Sequence, residues 1–294
     1  MNASKTVIAV NRFGLGARPG QLERVKHPTT WLLDQLQGPD RQPAVFRDLP
    51  GSAAVLTEAR DLRRQQREAR RNDENVVMKY GRWARRNYVS QTAARYRHAV
   101  ETDLPFHERL VHFWSNHFAV SADKQPLPAI AGLMENEAVR PHVSGRFAEL
   151  LTAVEKHPAM IVYLDNQRSI GPDSDLGRRA GRRRGERQVG LNENLAREIL
   201  ELHTLGVDGG YTQRDVTSFA EVITGWSIGG ASERGRFADG EPGKFEFREA
   251  IHQPGAKQVL GKRYAQSGVA QGEAVLRDLA THAATAHFVS TKLA

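Results

Sequence analysis

Apolar residues along this chain recur at helical spacing far more often than they alternate. Leu191, Leu195, Ile199, Leu202 and Leu205 share one face when residues advance by about 100° each. Phe106, Leu110, Phe113, Trp114 and Phe118 do the same over residues 105–120, with His117 inside the stripe and His112 roughly opposite. Further helices are predicted over about 20–36, 52–72, 76–103 and 129–140, from Phe147 to Val154, after Pro158 and over about 270–280, and the last residues are again helical in pattern. Phe245 and Phe247 alternate with charged residues, which predicts a small β-hairpin near 243–264 turning at Pro254–Gly255. The pattern therefore predicts a mainly α fold, an irregular multi-helix bundle with long polar loops in one domain spanning residues 1–294.

Local chemistry sets the ends of the most informative segment, Asn192 to Trp226. Asn192 or Asn194 can cap its first helix, and Gly206 stands where a left-handed residue closes one. Thr212 opens the next helix with Asp215 three residues on, the reciprocal capping pair. Residues 166–190, low in hydrophobicity and rich in Arg, read as a mobile surface loop.

Charge changes the picture in two places. Residues 60–97 carry twelve Arg or Lys against four acids, and residues 178–187 six Arg against Glu186, so the net charge of +8 belongs to these segments. Trp83, Tyr88 and Tyr96 are interleaved with Arg, a pairing used in nucleic-acid binding. It is also how Arg stems cover core aromatics on a helix face, the reading we favour. The excess of Arg over Lys is consistent with a nucleic-acid footprint, but a GC-rich genome, which favours Arg codons, is the reading we favour. Cysteine is absent, which excludes disulfides, thiol catalysis and cysteine-bound zinc. Gly14, Gly16 and Gly20 do not form a dinucleotide loop, and the residues leave the cofactor open. TVIAV is too short for a signal-peptide core, so the chain reads as cytoplasmic by default with export left open.

Glu198 is the residue that local rules do not explain. Glu193, Arg197 and Glu201 form an i, i+4 ladder, so Glu201 has a solvated reading beside its candidacy. Glu198 falls among Leu191, Leu195, Leu202 and Leu205, where a lone carboxylate is costly. The expectation is that it meets His117, with Asn194 and Glu201 completing a catalytic set. His203 also lies toward the apolar face, roughly 140° from Glu198, and serves a different neighbour. Asp165, Asn166 and Asp208 are the oxygen donors for a metal. As chemistry, such a couple supports hydrolytic or metal-assisted acid–base catalysis; as architecture, it fixes helix register without turnover. The sequence leaves both open.

The blocks HFWSNHF, HPAMIVYLDNQRSIGPDS, GLNENLAREILELHTLGVDGGYTQRDV and ITGW together resemble the large bacterial family catalogued as domain of unknown function 1800. NRFGLGARPGQ, IHQPGAKQVLGKRY and HAATAHFVSTKLA resemble its other blocks, in order. The resemblance implies a mainly α-helical fold and a sulfatase-like partner, and supplies no activity, substrate or cofactor. Members usually continue beyond this point, so the chain is expected to be truncated at its C-terminus.

Overall fold

Each predicted helical stretch folds as helix, with ends set by the residues that cannot continue it. A computed structural model of the chain describes residues 2–36, 43–71, 79–182, 190–230 and 239–294. The principal helices are Ser52–Arg71, Lys79–Glu101, Pro105–His117, Leu127–Met134, Phe147–Glu155, Pro158–Tyr163, Asn194–Glu198, Gln213–Val222, Val269–Ala280 and Ala283–Leu293. The stretch expected over 20–36 divides into Gln21–Arg24 and Pro28–Asp34, because Pro28 fits only a first turn. None of the described helices is long and apolar enough to cross a membrane.

One hydrophobic core joins these elements. Phe118, Leu127, Ile130, Leu150, Leu151, Met160, Ile161, Leu195, Ile199, Phe219 and Trp226 are all fully buried within it. Trp226 reaches this density because Gly272 faces it: a Cβ there would stand 2.4 Å from the indole, so only glycine lets helix Val269–Ala280 pack so closely.

Two small antiparallel sheets complete the fold, and their pairing differs from the expected hairpin. β1 (Trp226–Ile228) pairs with β2 (Phe245–Phe247), placing Phe245 edge-on to Trp226 at 5.6 Å. β3 (Lys257–Val259) pairs with β4 (Lys262–Tyr264). Their turn lies at Leu260 and Gly261, both at positive φ as a two-residue hairpin requires, rather than at Pro254–Gly255. The aromatic alternation of β2 thus serves a partner far back in the chain.

Residues 166–190 also depart from the expected loop. Asp175–Arg182 is helical, and Ser174 caps it by accepting the Gly177 amide at 3.0 Å. The rest of the Arg cluster, 183–189, lies outside the described residues. Trp83 is buried as expected, whereas Tyr88 and Tyr96 stay exposed, so Arg stems do not cover them.

Candidate functional site

The helix that begins at Asn194 does not remain α-helical. Residues Ile199–Thr204 form a π turn, closed by the Leu205 amide on the Leu200 carbonyl at 2.9 Å. The wider turn shifts the helical phase. His203 and Thr204 rotate into the core, and Leu202, expected inside, is exposed. Gly206 then ends the helix at φ 83°, and Thr212 and Asp215 form the expected capping box. The Asn194 amide is taken by Asn192 Oδ1 at 3.0 Å.

The re-phased helix builds a polar junction different from the one the sequence suggests. His203 Nδ1 lies 2.8 Å from Oε1 of Glu155, a fully buried carboxylate on helix Phe147–Glu155. His117 Nε2 bonds the His203 carbonyl at 3.0 Å, and Lys292 Nζ donates to His117 Nδ1 at 2.9 Å. An ammonium can only donate, so His117 is the neutral tautomer with its proton on Nε2. Burial, with the Lys292 and His203 charges adding to it, pulls its pKa down to about 4. The expected contact between Glu198 and His117 is absent: His117 meets the His203 carbonyl and Lys292, and the buried carboxylate Glu155 pairs with His203.

Glu198 itself is half-buried and makes neither hydrogen bond nor ion pair among the described residues. Burial, with the charges of Glu155 and Glu201 adding to it, raises its pKa, and His203 opposes them. Arg197 pairs with Glu193 at 3.0 Å, as the ladder predicts, while burial raises the Tyr211 pKa and the Glu201 charge adds to it. Asn194 is exposed. Glu198→Gln is therefore expected to change the unfolding free energy at pH 8 by less than ~0.5 kcal/mol, in the stabilising direction, because it removes a charge its surroundings disfavour. A loss well above that in urea unfolding would show that Glu198 has a partner.

Two further ionic clusters were invisible to sequence patterning. Arg140, buried in the turn after Leu127–Met134, donates to both oxygens of fully buried Glu108 at 2.5 and 3.0 Å. It also lies 3.5 Å from Glu135, which Arg95 binds at 2.7 Å. Burial alone would raise Glu108, but the imidazoles of His112 and His98, each 3.2 Å away, and Arg140 outweigh it and hold the carboxyl well below its usual range. Glu108, His112 and Glu135 place potential metal-ligand atoms within 4.8 Å of one another. The guanidinium already supplies the positive charge that a metal would bring there. The second cluster holds Glu137, which accepts the Ser52 amide and hydroxyl at 2.7 Å each and meets His157 Nε2 at 3.0 Å. It fixes the start of helix Ser52–Arg71.

The metal donors expected from sequence are not gathered into one set. Asp165 sits in a left-handed turn at φ 55° and is held by Lys124 at 2.7 Å. Fully buried Asn166 directs its amide to the Ile223 and Trp226 carbonyls at 3.1 and 2.9 Å, which ties β1 to this turn. Asp208 is exposed.

A concavity lies elsewhere among the described residues. A groove of about 1310 Å³ runs between helix Ser52–Arg71, the turn at 165–170 and the strand end at 228–230 with 242–243. Among the described residues, Arg60, Arg63, Arg64, Arg67, Arg71, Arg168 and Lys124 line it, with the acids Glu68 and Asp165. Of these, Arg63 stacks over Tyr80 at 4.9 Å. Gln167 lines the groove with a buried Oε1 that accepts no hydrogen bond. Aromatic side chains are absent from the described lining. Arg60 approaches the β1 end closely because Gly230 faces it: a Cβ there would stand 3.1 Å from Nη1.

These observations define a mainly α-helical protein with sealed ionic junctions and an arginine-lined groove among its described residues. The family model described as "Protein of unknown function (DUF1800)" matches residues 8–294, and the chain belongs to that family. No curated protein and no solved structure matches it.

Proposed function

We propose that the chain is a binding module whose groove takes a linear acidic polysaccharide, carboxylated or sulfated. The observation that carries the reading is the row Arg60, Arg63/Arg64, Arg67 and Arg71 on one wall. At ~1.5 Å rise per residue these guanidiniums repeat every ~5–6 Å over ~16 Å, suited to a polymer with an oxyanion on each repeat unit. A guanidinium fork matches such oxyanions in bidentate fashion. Without an aromatic platform in the described lining, base stacking has no support, which favours a sugar polymer over single-stranded nucleic acid. A sulfatase-like partner, implied by the family resemblance, would act on the same class of polymer.

The junction at Glu155, His203 and His117 is read as architecture. Its histidine–carboxylate contact is sealed and no groove residue belongs to it, which favours a register-fixing role over the hydrolytic or metal-assisted alternative.

Binding to a sulfated oligosaccharide is expected to weaken roughly 50-fold between 50 and 200 mM salt, if about four guanidiniums each release a counterion. The double substitution Arg60→Ala/Arg64→Ala should lower affinity at least tenfold, whereas Arg85→Ala/Arg97→Ala, equally basic but outside the groove, should not. Equal losses in both variants would reduce the effect to general basicity. Tighter binding of a single-stranded oligonucleotide of equal charge would replace the polysaccharide reading with the nucleic-acid one.

A further inference from the structure

Helix Lys79–Glu101 buries one face and leaves an apolar stripe on the other. Tyr80, Ala84, Gln91 and Ala94 are buried against the core. Opposite them Val89 is 54% exposed, Tyr96 64% and Val100 73%, with Ala93 exposed between. Positions 86, 89, 93, 96 and 100 alternate three and four apart, the a/d spacing of a coiled-coil seam. A contiguous apolar stripe of this kind on a surface marks an interaction site.

The charges at the two ends of this helix select the occupant. Arg82, Arg85 and Arg86 stand at its N-terminal end, and Glu101, followed by Asp103, at its C-terminal end. A parallel second copy would set Arg86 against Arg86. An antiparallel copy sets Arg86 against Glu101 and Asp103, Val89 against Val100, and small Ala93 against large Tyr96, each contact occurring twice. The stripe is complementary to itself in that orientation alone, which is the requirement of a two-fold interface.

We propose that this face is a homodimer interface, two copies of the helix packing antiparallel about an axis between Ala93 and Tyr96. A single helix pair buries less than the ~1,200 Å² of a standard interface, so self-association belongs to the weak, micromolar class.

Sedimentation equilibrium of the full chain between about 1 and 500 μM tests it. A monomer–dimer equilibrium is expected, and Val89→Glu or Val100→Glu should weaken it at least tenfold while leaving the circular dichroism unchanged, since both positions are exposed. Arg86→Glu should weaken it similarly, and adding Glu101→Arg should restore it to within about threefold. Because the chain has no cysteine, orientation can be read directly. Val89→Cys/Val100→Cys should give a covalent dimer on oxidation. Val89→Cys alone should not, the two sulfurs lying eleven residues or ~16 Å apart. A monomer throughout the range, a dimer indifferent to the seam substitutions, or crosslinking by Val89→Cys alone would each overturn the proposal.

Discussion

Replacing Arg140 with Met is expected to cost ~3–5 kcal/mol of unfolding free energy, the scale for breaking a buried ion pair from one side. In melting temperature this corresponds to a fall of roughly 10 °C for a domain of this size. The size follows from what remains: Glu108, fully buried, would keep a charge with only His98 and His112 beside it. Arg140 also packs over the Phe46 ring at 4.7 Å, a contact Met keeps in part. The double substitution Glu108→Leu/Arg140→Met should be less damaging than Arg140→Met alone, because an apolar pair strands no charge. Urea unfolding of the three proteins checks this. If the single variant loses under 1 kcal/mol, or the double loses more than the single, the cluster is not holding these helices through charge compensation.

The second large effect is a dependence of stability on pH. An unfolded histidine titrates near 6.5, whereas His117 in the fold titrates near 4. Between those values the unfolded chain binds the extra proton, so stability falls as pH is lowered, by at most ~3 kcal/mol for this group. His252, whose pKa burial also lowers, acts in the same direction. Glu198 and Glu221, both raised by burial, act oppositely and gain stability as they protonate. Carboxyls held low, such as Glu137 and Asp215, contribute only once the pH drops through the acidic range below about 4.5. The His117→Phe variant removes the single term. It should be less stable than the parent at pH 8, where the bonds to the His203 carbonyl and Lys292 are lost, and the gap should close by ~2–3 kcal/mol as the pH falls to 4.5. A gap that stays constant across the range would mean that His117 does not carry the proton linkage.

What the sequence made legible was local, because its rules are local. Gly206 and the Thr212–Asp215 box were readable since a left-handed glycine and a reciprocal cap depend on residues within a turn of each other. Helix positions were readable for the same reason. The π turn was not: every residue in ILELHT fits an ordinary helix, and the extra residue appears only when packing chooses His203 over Leu202. With His203 inward, Glu155 pairs with it, and His117 meets the His203 carbonyl instead of a carboxylate. Pairs such as Glu108 with Arg140, or β1 with β2, join residues whose separation carries no periodic signal. The groove was half-legible: its basic wall stood out at 60–71, but the opposing wall comes from turns more than a hundred residues on.

The π turn at Ile199–Thr204 also decides which polar groups this helix can carry inward. The Leu205 amide reaches back five residues to the Leu200 carbonyl, and within the same wide turn the buried Thr204 hydroxyl donates to the Ile199 carbonyl at 2.5 Å. Thr204 thus enters the core with its hydroxyl already bonded inside its own turn, and His203 beside it meets Glu155 across the core. The widened turn is where a helix otherwise packed through Leu195, Ile199 and Leu205 admits two polar side chains without stranding them.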